Sequence, residues 1–359
     1  MDANQDTPQR SQKLIIGLCT HNRPKELAEC LASIARLHIP EGFELHCVVV
    51  ENGPISEIAH VTKAANLPFR ITHKLESRMG VVHARNRLFD IAEHENADWL
   101  AMVDDDETVD ENWLTEFVSA MNSFPDVRFF CGPYVILPSN SLSAWRRPPG
   151  TDKRPLGSPT PFAKTGNFLI HKRLFDTSLG GFRFDTVFNH SGGEDYDISR
   201  RIIASGEKLI FVPTAKIYEP IADERSGFWY GLKRVWRDQH VVQKHLYLRL
   251  SFSQAISKDI AELLQIIVQI AFKPVYLTRN IMFGRLNSAR YTLWDFFTLI
   301  ARMWAIIGYP LSGEIKAYGK PSKKRSLRQS RCISVRFRLR FQRIAAALRQ
   351  THGFRFASI

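Results

Sequence analysis

Short, uninterrupted apolar runs recur through the first third of the chain, and each ends in polar residues or a turn signal. They occupy residues 13–19, 43–50 and 99–103, and a weaker run lies near residues 69–72. Runs of this length bounded by turn residues are typical of buried strands. Strands buried on both faces occur mainly in parallel sheets that are covered by helices. The pattern therefore predicts an α/β protein.

Between the first two runs, apolar side chains repeat at a helical spacing. Leu27, Leu31 and Ile34 fall on one face of the predicted helix. Asn22 is positioned to cap this helix, and Pro24 suits its first turn. Strand, helix and strand at this spacing form a βαβ unit. We therefore expect a mostly parallel sheet, flanked by helices, with right-handed crossovers.

The middle of the chain continues this alternation. Residues 145–161 are rich in Pro, Arg and Gly and are predicted to form a long loop. A strand with a small polar start is expected at residues 165–170, and another strand at residues 208–213. Between them, a glycine pair precedes a predicted helix whose first turn is acidic and begins near Glu194.

Polar side chains follow each of the main predicted strands. Thr20 and Arg23 follow the first strand, Glu51 the second, and the acids from Asp104 to Asp106 follow the run at residues 99–103. The carboxyl ends of parallel strands meet at one edge of a sheet, so we expect these groups to converge. Asp104 and Asp106 are two residues apart and point the same way in extended backbone. Such a pair can hold a hard divalent cation; the alternative is an acidic turn that caps the next helix.

Arginines near these strand ends offer contacts to phosphate. Arg23, Arg85 and Arg87 can each donate two hydrogen bonds to phosphate oxygens. The sequence has neither G-x-G-x-x-G nor G-x-x-x-x-G-K-[ST], so the usual glycine-rich phosphate cradles are missing. A phosphate group would then be held by a metal ion and arginine. The alternative for Arg85 and Arg87 is a solvated helix face.

Four motifs in this order resemble one enzyme family. They lie at residues 19–23, 50–53, 80–86 and 104–106. Together they resemble the inverting, metal-dependent nucleotide-sugar glycosyltransferases of family two, which have the GT-A fold. The chain is most similar to the branch that builds bacterial exopolysaccharides such as succinoglycan. The resemblance covers about two thirds of the chain, roughly residues 12–245.

The resemblance implies a nucleotide-sugar-binding set, with a UDP-sugar as the expected donor. Thr20 and Glu51 match positions that contact the nucleotide, although many relatives have Asp at the second. Arg85 matches the segment near the diphosphate, and Asp104 the acid near the ribose. The whole set implied by the resemblance is Thr20, Arg23, Glu51, Arg85, Asp104, Asp105, Gly166 and Asn167.

The resemblance also implies the metal ligands and the catalytic base. Asp106, with Asp104, matches the position that holds Mn²⁺ or Mg²⁺; many relatives place a His near Tyr218, so a third protein ligand is in doubt. Asp195 matches the base that takes the acceptor proton, and Glu194 is the alternative. The predicted helix N-terminus is expected to keep the base ionised at neutral pH. Acids in a first helical turn are also common for purely structural reasons.

Composition separates the ends of the chain from its body. The five cysteines are scattered without a C-x-x-C pair, which favours reduced thiols in the cytoplasm over a zinc site. Residues 1–12 are polar, so we expect a disordered N-terminus and no signal peptide. Of the net charge of +13, residues 313–359 carry +12, with thirteen Lys and Arg against Glu314. The body is therefore nearly neutral.

Two apolar segments precede the basic tail. Residues 260–272 carry a polar stripe and are too short to span a bilayer, which needs about 20 residues. Residues 293–309 are longer but also have a polar side. We expect amphipathic helices in a membrane interface, although packing against the catalytic domain is the alternative. The tail can attract an anionic membrane surface at about 1 kcal/mol per charge.

These patterns predict the domain organisation. We expect a glycosyltransferase domain at residues 13–245, an amphipathic helical region at 246–320 and a basic tail at 321–359. The expected enzyme is peripheral on the inner face of the cell membrane and acts on a lipid-linked or polysaccharide acceptor. Two alternatives are a metal-dependent phosphohydrolase and nucleic-acid binding by the tail. The nearly neutral body and the lack of a nucleic-acid-binding motif argue against the second.

Overall fold

The computed structural model describes residues 11–137, 152–220, 225 and 227–312. The chain divides into two units, the first ending at Phe228 and the second beginning at Trp229. The predicted tail, most of the predicted N-terminal segment and much of the predicted loop at residues 145–161 lie outside the described residues. The predicted domain boundaries therefore stay predictions.

The first four strands of the first unit contain the apolar runs noted above. In chain order they are β1 Gln12–Thr20, β2 Phe43–Asn52, β3 Arg70–Glu76, β4 Trp99–Asp104, β5 Thr108–Val109, β6 Phe129–Cys131, β7 Tyr134–Leu137, β8 Ser158–Pro159, β9 Phe168–His171, β10 Leu209–Phe211 and β11 Ile217–Pro220.

The α-helices alternate with these strands and then make up the described residues of the second unit. They are α1 Pro24–Ile34, α2 Ala59–Ala64, α3 Val81–His94, α4 Trp113–Ser123, α5 Lys172–Phe175, α6 Glu194–Ala204, α7 Phe228–Arg249, α8 Phe252–Met282 and α9 Leu286–Ser312. Short 3₁₀ turns lie at Thr165–Asn167, Thr177–Leu179 and Thr186–Phe188.

One large sheet forms the centre of the first unit. Its strand order is β3-β2-β1-β4-β9-β6-β10-β8. β1 pairs in parallel with β2 and β4, β2 with β3, and β6 with β10, while β9 runs antiparallel between β4 and β6. A smaller sheet has the order β5-β11-β7. The predicted α/β class with a mostly parallel sheet flanked by helices is confirmed.

Alternating residues of the central strands feed two apolar layers. Leu14 and Ile16 of β1 pack in one cluster with α1 and α4, whereas Ile15 packs in the other with α3 and α6. Because successive side chains of a strand point to opposite faces, a continuous apolar run is required when both faces are covered. This three-layer packing fixes the carboxyl ends of β1 and β4 side by side.

Two local predictions are wrong. Asn22 does not cap α1, because Arg23 occupies the N-cap position and makes no side-chain capping bond. Asn22 has φ +52° and forms the turn instead, a left-handed conformation that Asn tolerates better than most residues. The predicted strand at residues 165–170 is a 3₁₀ turn at Thr165–Asn167 followed by β9.

The second unit consists of long helices among its described residues. The apolar segment at residues 260–272 is part of α8, which has 31 residues. By length and composition α8 is long and apolar enough to cross a membrane. The expectation that this segment is too short was wrong, because the helix continues beyond Lys273 and through Pro274. Residues 293–309 lie within α9.

Candidate active site

The turn after β4 places four consecutive acids in different surroundings. Asp104 and Asp106 are half-exposed, whereas Asp105 and Glu107 are buried. The Glu107 carboxylate accepts a bond from the backbone N–H of Asp104 at 3.2 Å, and the Glu107 N–H donates to the Asp104 carbonyl at 3.2 Å. Glu107 therefore closes the turn and leaves Asp104 and Asp106 facing solvent.

The end of β1 meets this acid turn through Arg23. Its Nη1 donates to Asp105 Oδ1 at 3.1 Å and to Asp106 Oδ2 at 2.9 Å. Burial raises the pKa of Asp105 to about 6, although the Thr20 hydroxyl and Arg23 oppose the shift. The predicted convergence of the β1 and β4 ends is therefore present in the structure.

Arg85 joins the acid turn to the first turn of α6. It lies buried on α3, donates through Nη2 to Asp104 Oδ1 at 3.2 Å, and forms a close ion pair with Glu194 through Nη1. Burial lowers the pKa of the Arg85 guanidinium, but Asp104 and Glu194 outweigh it and raise the pKa overall. Arg85 therefore stays charged and links two sets of acids that are distant in sequence.

Asp195 stands beside this pair at the N-terminus of α6. The N-cap residue Gly193 has φ +87°, a left-handed conformation that favours glycine. Burial, and then the negative charge of Glu194, raise the pKa of Asp195 to about 6, while Arg85 lowers it. Desolvation therefore outweighs the favourable dipole of the helix N-terminus, yet a pKa of about 6 still leaves the Asp195 carboxylate mostly ionised at neutral pH.

Gly166 packs against the acid turn, and the neighbouring Asn167 is buried rather than projecting into solvent. A Cβ at Gly166 would lie 2.4 Å from a carboxylate oxygen of Glu107. Asn167 is fully buried, accepts a bond from Trp113 Nε1 at 2.8 Å and donates to two backbone carbonyls at 2.9 and 3.0 Å. These bonds hold the 3₁₀ turn that contains Asn167 against the neighbouring segments of the chain. The predicted contact of Asn167 with the donor sugar stays a prediction.

Glu51 lies at the end of β2, where its carboxylate is engaged by its own region of the chain. It accepts bonds from the Ser56 hydroxyl at 2.7 Å, the Glu57 N–H at 2.6 Å and His73 Nε2 at 2.9 Å. These hydrogen bonds join its carboxylate to the following loop and to β3. A contact with the nucleotide stays a prediction.

Comparison with known proteins decides the family. Residues 15–179 match Glycosyl transferase family 2, and residues 99–314, which exceed half of the chain, match Glycosyl transferase family group 2. The chain belongs to this glycosyltransferase family. It is therefore a nucleotide-sugar-dependent glycosyltransferase, as the sequence motifs predicted.

Individual relatives share different parts of the chain. Over 240 residues the glycosyltransferase is 30% identical to the succinoglycan biosynthesis protein ExoM of Rhizobium meliloti, covering 64% of this chain and 74% of that protein. Similar solved structures include S. aureus TarS 1-349 with UDP-GlcNAc (TM-score 0.49, 11% identity, 83% of this chain, 91% of that one). Another is mannosyltransferase PcManGT from Pyrobaculum calidifontis in complex with GDP-Man and Mn²⁺. It has a TM-score of 0.48 and 16% identity, and the match covers 95% of this chain and 88% of that one. The chain spans 55% of a longer TarS structure.

The glycosyltransferase site contains a residue, Tyr134, that the sequence did not single out. It lies at the start of β7, and its buried hydroxyl has no hydrogen-bond partner among the described residues. The Lys164 ammonium lies 4.2 Å from the centre of the Tyr134 ring and 4.0 Å from Glu219. Burial, together with acids led by Glu107, raises the pKa of the Tyr134 hydroxyl. The sequence signal was weak: a polar aromatic residue shortly after the end of β6.

Unpaired buried polar atoms gather around this site. Arg85 Nε, Glu194 Oε2 and Tyr134 Oη are all buried and make no hydrogen bond within the part of the chain that the structure describes. Buried polar atoms are nearly always paired, with protein, water or ligand. Their concentration around Asp104 and Asp195 therefore indicates a site that is completed by a polar ligand.

The acid turn suits a cation that binds together with phosphate. Asp104 and Asp106 present half-exposed carboxylates, and Mg²⁺-like cations often take only one or two carboxylates and complete their shell with phosphate and water. Within the described residues, His, Cys, Asp and Glu form no group of three or more that could hold a metal alone. Tyr218, near the position where a third metal ligand was in doubt, donates its hydroxyl to Asp110 at 2.8 Å. The described residues therefore fit a metal site whose coordination is completed by phosphate and water.

Proposed function

We propose that this glycosyltransferase inverts the anomeric configuration while moving a sugar from a UDP-sugar to a hydroxyl of a glycan acceptor. The observation that carries the proposal is the bridge made by Arg85 between Asp104 and Glu194. It brings the predicted donor-binding turn and the predicted base into one electrostatic unit. Without that link, the two motifs would be separate acidic turns.

The base is Asp195. It takes the proton from the acceptor hydroxyl while the acceptor oxygen forms a bond to the anomeric carbon and the bond to the diphosphate breaks. One in-line displacement inverts the configuration. A pKa of about 6 leaves the carboxylate ionised at neutral pH but still basic enough to accept a proton. Glu194 is less suited because it is paired with the buried guanidinium of Arg85.

The donor side is formed by the acid turn. Asp106, assisted by Asp104, would hold Mn²⁺ or Mg²⁺, which when bound neutralises charge on the departing nucleoside diphosphate. Arg23 holds Asp105 and Asp106 together in the free protein. In the donor complex Arg23 turns from Asp106 toward the phosphate oxygens, which accept two parallel bonds from a guanidinium. Thr20, Glu51 and the turn containing Gly166 are proposed to shape the nucleotide and sugar pockets.

The acceptor is proposed to be a lipid-linked glycan of a bacterial exopolysaccharide, reached from the cytoplasmic face of the membrane. The identity to a succinoglycan biosynthesis protein supports this substrate class. The long apolar helix α8 supports membrane association. The basic composition of residues 313–359 supports attraction to anionic lipid.

Asp195→Asn tests the base. The change is nearly isosteric but removes proton acceptance, so we expect donor binding to persist and transfer to fall by about 10²- to 10⁴-fold. Donor binding is measured by thermal shift across nucleotide sugars with Mn²⁺, and transfer with lipid-linked acceptors. Glu194→Gln is the companion variant: it keeps the Asp195 carboxylate and should lose less turnover than Asp195→Asn, although it also removes the ionic partner of the buried Arg85. A loss of only a few-fold in Asp195→Asn, with a larger loss in Glu194→Gln, would reverse the assignment.

A further inference from the structure

Tyr134 is held beside the acid turn by the small sheet. Its strand β7 pairs in parallel with β11, where Tyr134 lies opposite Ile217, and β11 pairs with β5. β5 begins at Thr108, the residue directly after Glu107 of the acid turn. The Tyr134 ring packs against the apolar cluster that contains Val109 and Ile217. The sheet therefore fixes the position of this side chain relative to the acid turn.

The backbone before Tyr134 is also bonded to the 3₁₀ turn that packs against Glu107. The Gly132 N–H donates to the Asn167 carbonyl at 3.2 Å, and Asn167 Nδ2 donates to the Pro133 carbonyl at 2.9 Å. The Asn167 side chain is fully buried. Tyr134 is therefore tied to the acid turn by two routes, through the small sheet and through the 3₁₀ turn.

The Tyr134 hydroxyl lies among acids but is not bonded to them. It is buried, and it makes no hydrogen bond to any residue that the structure describes. After burial, the groups that raise the pKa of this hydroxyl are Glu107, Asp104, Asp195 and Glu219, in that order. Buried hydroxyl groups are nearly always paired, with protein, water or a ligand. The hydroxyl is therefore placed between the donor-binding turn and the proposed base, where a ligand can pair with it.

The surrounding acids select the chemistry of that ligand. A phosphate oxygen can accept a bond from Tyr134, but it has no hydrogen to donate to the neighbouring carboxylates, which repel it. An apolar group would leave the hydroxyl unpaired. A sugar hydroxyl both accepts and donates, so it can accept from Tyr134 while it donates to a carboxylate such as that of Asp104. A neutral sugar ring therefore satisfies the hydroxyl and the acids together.

Lys164 lies over the ring of Tyr134. Its ammonium is 4.2 Å from the ring centre and 4.0 Å from Glu219, and its side chain is 42% exposed. A cation over an aromatic face is attracted by the ring. Lys164 also directly precedes the 3₁₀ turn at Thr165–Asn167. The contact therefore helps to hold the ring in its orientation and leaves the hydroxyl as the group that meets a ligand.

We propose that Tyr134 determines donor specificity, because its hydroxyl donates a hydrogen bond to one hydroxyl of the transferred hexose. That sugar hydroxyl in turn donates to a carboxylate of the acid turn. The assignment rests on the proposed function, since the hexose is the one carried by the UDP-sugar. The acceptor glycan offers the same hydroxyl chemistry, but Glu107 and Asp104 belong to the donor-binding turn, which favours the donor. A site that bonds a substrate hydroxyl discriminates against analogues that lack it.

Donor titrations of Tyr134→Phe in the full chain test this assignment. Calorimetry with Mn²⁺ and without acceptor first finds which of UDP-glucose, UDP-galactose and UDP-N-acetylglucosamine binds most tightly. That parent donor is then compared with analogues that each lack one hydroxyl of the hexose. In the natural protein, we expect one analogue to bind about fivefold more weakly than the parent, as for the loss of one neutral hydrogen bond. In Tyr134→Phe, the parent should lose about the same factor and that analogue should lose nothing further.

The two losses should not add, because both changes remove the same hydrogen bond. Tyr276→Phe, which removes a hydroxyl from a tyrosine that is 48% exposed on α8, is the matched control and should leave every affinity unchanged. If Tyr134→Phe weakens the parent and all analogues by one common factor, or weakens none of them, the assignment is overturned while the proposed function stands. If none of the three UDP-sugars binds the natural protein, the proposed function fails and the assignment fails with it.

The melting temperature of the free protein separates ligand binding from a structural role of Tyr134. Removing a hydroxyl that has no partner among the described residues should leave the melting temperature of Tyr134→Phe unchanged or higher. With the parent donor added, the natural protein should gain more in melting temperature than Tyr134→Phe, because tighter binding stabilises the folded state more. A lower melting temperature of the free variant would show that the hydroxyl bonds within the chain, and it would overturn the assignment.

Discussion

At the scale of single residues, the chemistry depends on how differently neighbouring acids are buried. Asp105 and Asp195 have pKa values raised to about 6, while Asp104 and Asp106 remain half-exposed. The sequence could identify these acids from their spacing and their position at strand and helix ends. It could not show that Arg85 joins them, because the partner Glu194 lies 109 positions away. Long-range pairing and burial exist only in the folded chain.

The raised pKa of Asp195 predicts an acid limb in the rate. The base acts in its ionised form, so transfer should fall as the pH falls through about 6. Glu194→Gln removes the negative charge that helps raise this pKa, so the limb should move to lower pH. Rates measured from pH 5 to 8 with saturating donor check the shift. Glu111→Gln, at an exposed pair with Arg36, is the control and should leave the limb in place.

If the transfer rate of Glu194→Gln still fell near pH 6, the group whose protonation lowers the rate would be Asp105 rather than Asp195. Asp105 has a similar pKa, but its main charged neighbours are Arg23, Asp106 and Asp104. The two acids are thus separable by one substitution.

Arg23→Ala tests whether this arginine occupies the acid turn before the donor arrives. Its guanidinium lies within 3.1 Å of both Asp105 and Asp106, so a divalent cation must displace its charge. Partly exposed pairs of this kind contribute about 0–1 kcal/mol. We therefore expect Mn²⁺ to bind about two- to fivefold more tightly to the free variant, measured by the electron paramagnetic resonance signal of unbound Mn²⁺.

The control for Arg23→Ala is Arg36→Ala. It removes the same charge from an exposed pair with Glu111. Equal Mn²⁺ affinity in both variants and the natural protein would show that Arg23 does not compete at the acid turn.

At the scale of elements, the apolar runs gave the strands because β1, β2 and β4 are covered on both faces. Period and composition are local, so these elements could be predicted. The antiparallel insertion of β9 between β4 and β6 could not, because strand order is decided by packing. The 3₁₀ turn at Thr165–Asn167 was missed for a similar reason: Asn167 is held there by Trp113 and two distant carbonyls.

Gly166→Ala tests the contact between that turn and the acid turn. The added Cβ would lie 2.4 Å from the Glu107 carboxylate, which is buried and cannot move into solvent. Overpacking of this kind costs about 1–3 kcal/mol. We expect a lower melting temperature in a calorimetric scan and weaker donor binding, because Glu107 also fixes Asp104.

Gly227→Ala is the matched control for this substitution, because no atom of the described residues lies within 4 Å of its added Cβ. A Gly166→Ala protein with unchanged melting temperature and donor affinity would show that the acid turn shifts to accommodate the added methyl group at little cost in free energy.

At the scale of the whole molecule, composition distinguished the regions of the chain by their charge but did not predict the lengths of their helices. The near-neutral body and the basic end of the chain were visible in the charge distribution. The length of α8 was not, because Lys273 and Pro274 interrupt its apolar pattern. Their meaning depends on Asp295, which neutralises Lys273 from α9. A charge that looks like the end of an apolar segment is, in the folded pair, part of its interior.

Deleting residues 321–359 separates the electrostatic contribution to membrane binding from the apolar one. The deletion removes Lys323, Lys324, Arg325 and eight later arginines, but neither α8 nor any proposed catalytic group. We expect transfer to a soluble acceptor mimic to continue and binding to anionic vesicles to become weaker. In the full chain, the part of the binding that depends on the tail should fall as salt rises, because exposed charges are screened beyond about 8 Å at physiological ionic strength. The truncated protein should retain a salt-insensitive fraction held by α8 and α9.

Vesicle flotation at several salt concentrations measures both fractions. Binding that is unchanged and equally salt-insensitive after truncation would exclude an electrostatic role, whereas salt-dependent binding to RNA or DNA without vesicle binding would assign the tail to nucleic acid.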